Sequence, residues 1–113
     1  MTDTPFELRS TRIGDAVVIS IVGEIDMATA PEVSKAIDVG HDDAGRVVVD
    51  LSEVTFLDSS ALNAFVQSQQ ELAQHDIGFR IVSPGDHAVR NVFEITRLTE
   101  PLSVVGSLEE ALA

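Results

Sequence analysis

The run RVVVDLS, residues 46 to 52, constrains the fold more than any other stretch. Val47, Val48 and Val49 stand in a row without a polar residue between them. A strand with one wet face alternates, whereas a strand of consecutive branched apolar residues must be covered on both faces, as in a parallel sheet. Parallel neighbours need a long crossover, usually a helix. The chain supplies one on each side. Downstream, from about Ser59 to His75, Leu62, Phe65, Val66, Gln69 and Leu72 fall in one stripe at helical spacing, with residues 54 to 58 as the connection. Upstream, in DMATAPEVSKAIDVG, Val33, Ala36 and Ile37 form a second stripe. There Thr29 reads as the N-cap, Glu32 completes a capping box and Pro31 sits harmlessly in the first turn. Gly40 reads as the stop.

The remaining segments extend this pattern. MTDTP (residues 1–5) reads as a disordered lead. FELRSTR alternates like an edge strand, and IGD is a turn in which Gly14 supplies the permissive backbone. AVVISIVGEI places Val17, Ile19 and Ile21 on one face and Val18, Ser20 and Val22 on the other, so the first two strands form a hairpin. HDDAG is a polar loop. After the second helix, DIG turns the chain into the strand FRIV. Ser83 reads as the cap of a third helix with Pro84 at its first position and Val89, Val92 and Phe93 inward. LSVV is a last strand, and SLEE is a capping box opening a short terminal helix. The expectation is a single α/β domain over residues 1–113. It has a small, mixed, mostly parallel sheet of about five strands with right-handed crossovers, flanked by about four helices.

Composition narrows the function classes. With 19 acidic against 7 basic residues the net charge is −12. Nucleic-acid and anionic membrane surfaces are therefore disfavoured, since both are bound through clustered Lys and Arg. A basic protein surface is the favoured partner. There is no Trp or Tyr for a base-stacking platform and no Cys for disulfide or thiolate chemistry. No apolar stretch approaches the ~18 residues of a membrane span, and the start lacks a signal-peptide pattern. The expected location is the cytoplasm.

Catalytic patterns are sparse. His41, His75 and His87 lie far apart and show no paired-ligand spacing, so no metal site and no cofactor is expected. Phosphate-cradling glycine loops are missing, each glycine standing singly at a turn. Ser59 lacks a G-x-S-x-G elbow, and a hydrolase triad needs a His brought in from elsewhere. Asp50, ending the buried strand, resembles a phosphoryl acceptor, but such a site needs a Lys, and the one Lys of the chain is Lys35 on the first helix.

The stretch TFLDSSALNAF keeps three readings open: helix caps, a nucleophile, or the substrate of a kinase. A helix needs one cap, and Asp58 is the natural one. Ser59 and Ser60 are then surplus, at the positive end of the helix dipole. A phosphate on Ser59 finds backbone N–H groups there and adds about −1.5 to −2 charge beside Asp58. Asp26 reads as a cap of the turn before the first helix. Glu24 is free to pair with a basic residue, and Phe56 and Phe65 read as core.

VVVDLSEVTFLDSSALNAF resembles the central segment of STAS domains, specifically of bacterial anti-sigma factor antagonists, whose motif is D-L-S-x-V-x-F-x-D-S-[ST]-G-L. Upstream, VVISIVGEIDMATAPEV is similar to the family's G-E-[IL]-D segment, here Gly23-Glu24-Ile25-Asp26. The resemblance spans essentially the whole chain and implies the fold just described. It implies a switch and not an enzyme: a protein, monomeric when free, that binds an anti-sigma factor serine kinase and so frees a sigma factor. It is turned off by phosphorylation at Ser59 (Ser60 being second choice) and restored by a serine phosphatase. It places Asp26, Asp58, Ser59, Ser60 and Ala61 at the partner surface. Ala61 stands where the family has Gly, which adds a methyl group there and stiffens the first turn by roughly 1 kcal/mol. The same fold also serves as an accessory module of lipid transporters or as a small-ligand sensor, without phosphorylation.

Overall fold

The computed structural model describes residues 5–113. The elements run β1 (Glu7–Ile13), β2 (Ala16–Ile25), α1 (Ala30–Gly40), β3 (Arg46–Leu57), α2 (Ser59–Gln74), β4 (Gly78–Val82), α3 (Ala88–Ile95), β5 (Val104–Val105) and α4 (Leu108–Leu112). The five strands form one sheet in sequence order. β1 and β2 are antiparallel, and every later pair is parallel. The expected α/β architecture is therefore the observed one. Of the expected lead, residues 1–4 lie outside the described residues.

Both faces of the sheet are covered, as the valine run requires. Val47 and Val49 join Ile19, Ile21, Val33, Ile37, Phe65 and Phe93 in the main core beneath α1, α2 and α3. Val48 points the other way, with Val18 and Val82, against Ala111 of α4. The β1–β2 hairpin closes at the pair Ile13–Ala16, and Gly14 turns there at φ +61°.

β3 is longer than expected and continues through residues 54–57. It carries two more residues than β2 over the shared ladder. Ser20 pairs with Asp50, but Val22 pairs with Glu53 and Glu24 with Phe56. Each surplus residue is a bulge that shifts the phase of the alternation along β3. The buried positions on the main core side thus run Val47, Val49, Leu51, Val54, Leu57 rather than in strict alternation. Gly23 sits at the second irregularity with φ +102°, a backbone conformation that side chains with a Cβ rarely adopt.

Three helix ends differ from expectation. Thr29 precedes α1 but its hydroxyl caps no helical N–H; it accepts from Asp26 N–H at 2.9 Å and lies 3.0 Å from the Glu24 carbonyl. The turn before the helix has captured the group meant for the helix. Gly40 is the last helical residue rather than a stop beyond it, and His41 is the C-cap. A Cβ on Gly40 would stand 3.2 Å from Val17 Cγ1, so close packing on β2 accounts for the glycine. Ser83 does not cap α3. It is fully buried, ties β4 to β5 through its N–H to the Val105 carbonyl, and accepts from Arg90 on its own carbonyl. Pro84 to Asp86 form a turn, and His87 caps α3 through Nδ1. Ser107 caps α4 as expected, accepting from Glu110 N–H at 3.2 Å.

Candidate functional site

Parallel pairing of β2 and β3 ends at Ile25–Leu57, so the next residues, Asp26 and Asp58, leave the sheet side by side. Asp58 N–H still donates to the Ile25 carbonyl at 3.2 Å, which ties the two exits together. Each aspartate then caps its own downstream segment. Asp26 Oδ1 accepts from the N–H groups of Ala28 and Thr29 at 2.9 and 3.1 Å. Asp58 Oδ1 accepts from Ser60 and Ala61 at 2.8 and 3.3 Å, opening α2. Two carboxylates are thus fixed by backbone amides at the C-terminal ends of β2 and β3, from which the exposed Ser59 emerges.

Ser59 is the first residue of α2. Among the described residues, the side-chain bonds at this junction are those accepted by Asp58, and the Ser59 hydroxyl is left to solvent. The amides of Ser60 and Ala61 are already engaged, so they do not form the ready cradle for a Ser59 phosphate expected from the helix end alone. Ser60 is half-buried and lines a shallow groove between α1 and α2 with Met27, Pro31 and Asn63. Ala61 is fully buried in the core. Its methyl group is therefore packed inside rather than presented at the surface, where it was expected.

Two apolar residues at this end escape the hydrophobic pattern. Met27 is 78 % exposed and Phe56 is 50 % exposed, against the expectation of a core Phe56. The bulge explains Phe56: with Val54 buried, alternation would turn residue 56 inward, but the extra residue turns it out. It lines a shallow groove with Thr55, Ala88 and Val92 on the α3 side. Phe65 is core as expected, its ring 6.4 Å from that of Phe93. Glu24 is exposed and makes no ion pair among the described residues; the pair found there is Arg90–Glu94.

Among the described residues, the groups that other chemistries need are not assembled around Ser59. His75 lies just beyond the far end of the 16-residue α2, about 24 Å away at 1.5 Å per residue. His41 stacks on His75, with ring centroids 5.8 Å apart. The His87 Nδ1 is occupied by Val89 N–H. Asp50 is engaged by Ser52, whose N–H and hydroxyl it accepts at 2.9 and 2.6 Å. The histidines are not all apart, however, contrary to the sequence spacing. Asp38, His41 and Glu71 bring ligand atoms within 4.8 Å of one another at the far ends of α1 and α2.

The STAS domain model matches residues 7–111. The chain belongs to the STAS domain family. Among curated relatives, the anti-sigma-B factor antagonist of Listeria monocytogenes is 35% identical over 91 residues, covering 80% of this chain and 79% of that protein. The protein of the same name from Staphylococcus aureus is 32% identical over 87 residues, covering 76% and 80%. Among solved structures, an anti-sigma factor antagonist from Mycobacterium paratuberculosis superposes with a TM-score of 0.85 at 31% identity, covering 96% of this chain and 92% of that one. No helix among the described residues is long and apolar enough to cross a membrane.

Proposed function

We propose that this STAS domain is an anti-sigma factor antagonist controlled at Ser59. In this reading it docks on an anti-sigma factor serine kinase in the cytoplasm, as a monomer and without catalysis of its own. The docking surface comprises Asp26, Asp58, Ser59 and Ser60, with Met27 and Phe56 as apolar anchors and Ala61 as buried support. The names of its relatives favour this role. The observation that carries it is the exposed Ser59 hydroxyl at the first position of α2, beside a cap that does not use it. A phosphate there adds about −1.5 to −2 charge without removing the cap. Since Asp58 already holds the nearby amides, that charge faces outward at strand ends that carry two carboxylates. The phosphate's bulk and its tightly held water disrupt a close fit at the partner surface. A serine phosphatase resets the switch.

Capture from native lysate with wild type, Ser59→Ala and Ser59→Glu as baits tests this. An anti-sigma factor kinase held by the first two and lost with Ser59→Glu is the expected result. Equal recovery with all three removes Ser59 as the control point. Recovery of a transporter ATPase in place of the kinase moves the reading to an accessory module.

A further inference from the structure

At the opposite end of α1 and α2 from Ser59, three donor side chains converge, with the ring of His75 stacked beside them. Asp38 and His41 stand three residues apart at the end of α1, and Glu71 and His75 four apart at the end of α2. Those spacings put each pair on one helix face. Asp38, His41 and Glu71 each offer one ligand atom within 4.8 Å of the others, and the His75 ring stacks on His41 at an interplanar angle of 19°. A tetrahedral zinc ion with bonds of ~2.0–2.1 Å needs its ligand atoms about 3.3 Å apart. Rotamer changes in Asp38 and Glu71, both exposed, close that difference.

The electrostatics favour a cation. Both helix C-termini carry partial negative charge, and neither has a basic residue in its last turn. Neither acid forms an ion pair among the described residues. One imidazole with two carboxylates is a mixed nitrogen and oxygen donor set, which suits Zn²⁺ and related divalent transition ions better than Ca²⁺ or Mg²⁺.

We propose that Asp38, His41 and Glu71 form a divalent transition-metal site that clips the end of α1 to α2, with His75 holding the His41 ring in place. Titration of the full, untagged chain with Zn²⁺ in a calorimeter tests it, alongside thermal unfolding with and without the ion. One ion per chain is expected, with a rise in melting temperature. His41→Gln and Glu71→Gln should each weaken binding at least tenfold and abolish that rise, while melting like wild type without metal. Should either variant fail to fold, Asp38→Asn provides the same comparison. Zn²⁺ affinity unchanged in His41→Gln, or no saturable binding below millimolar Zn²⁺, would overturn the proposal and leave only a solvated acidic surface.

Discussion

Replacing Asp58 separates its two duties. Asp58 Oδ1 accepts from Ser60 N–H at 2.8 Å and from Ala61 N–H at 3.3 Å. Asp58→Ala removes both bonds. Loss of such a cap costs about 0.5–2 kcal/mol. Because Ala61 is fully buried, water replaces the lost acceptor poorly, which places the cost in the upper half, about 1.5 kcal/mol. For 113 residues, at an unfolding entropy of about 2.1 cal/mol/K per residue, that lowers Tm by about 6 °C. Asp58→Asn keeps an acceptor oxygen and loses only the charge near the helix N-terminus, for about 0.5 kcal/mol or 2 °C. Thermal unfolding monitored by circular dichroism resolves the two. Asp58→Ala within about 1 °C of wild type would refute the cap argument. Equal losses in both variants would show that charge, and not the acceptor, holds the turn. With the fold retained, the Asn variant isolates the carboxylate's part in partner binding.

Phe65→Ala empties a fully buried site against Phe93 and should cost about 3–5 kcal/mol in urea unfolding. Gly23→Ala forces a Cβ onto φ +102° and should cost about 1–3 kcal/mol, read as a lower urea midpoint. Phe56→Ala, at a half-exposed position, should leave stability within about 0.5 kcal/mol of wild type. On the proposed function, the same variant should weaken capture of an anti-sigma factor at least tenfold in a direct binding assay.

The features legible in the sequence are local ones. Asp58 capping α2, Ser107 capping α4 and the doubly covered valine strand each rest on residues adjacent in the chain. Ser83 departs from its expected role because Ser-Pro resembles a helix start, while the sheet has a prior use for its backbone at Val105. Thr29 departs for a related reason, its hydroxyl being taken by the Asp26 turn. The outward Phe56 is illegible because bulges leave no mark in hydrophobic periodicity beyond a change of phase. The meeting of His41 and His75 depends on two helices packing side by side, which sequence spacing does not reveal.

The second bulge of β3 gives the Asp58 end of the strand one residue of slack. Thr55 is the residue without a partner there: Gly23 pairs with Val54, Glu24 with Phe56 and Ile25 with Leu57 on either side of it. Those three pairs stay in step whether or not Thr55 is present, so a single deletion irons out a bend and leaves Phe56 facing outward. A second deletion beyond Val54 finds no slack to draw on. It brings Asp58 up one place short of Asp26 and turns the last residues of the strand to the opposite face. In a lineage of such chains, the loops beyond the sheet can change length freely, whereas the last stretch of this strand, from Val54 to Leu57, can lose one residue and no more.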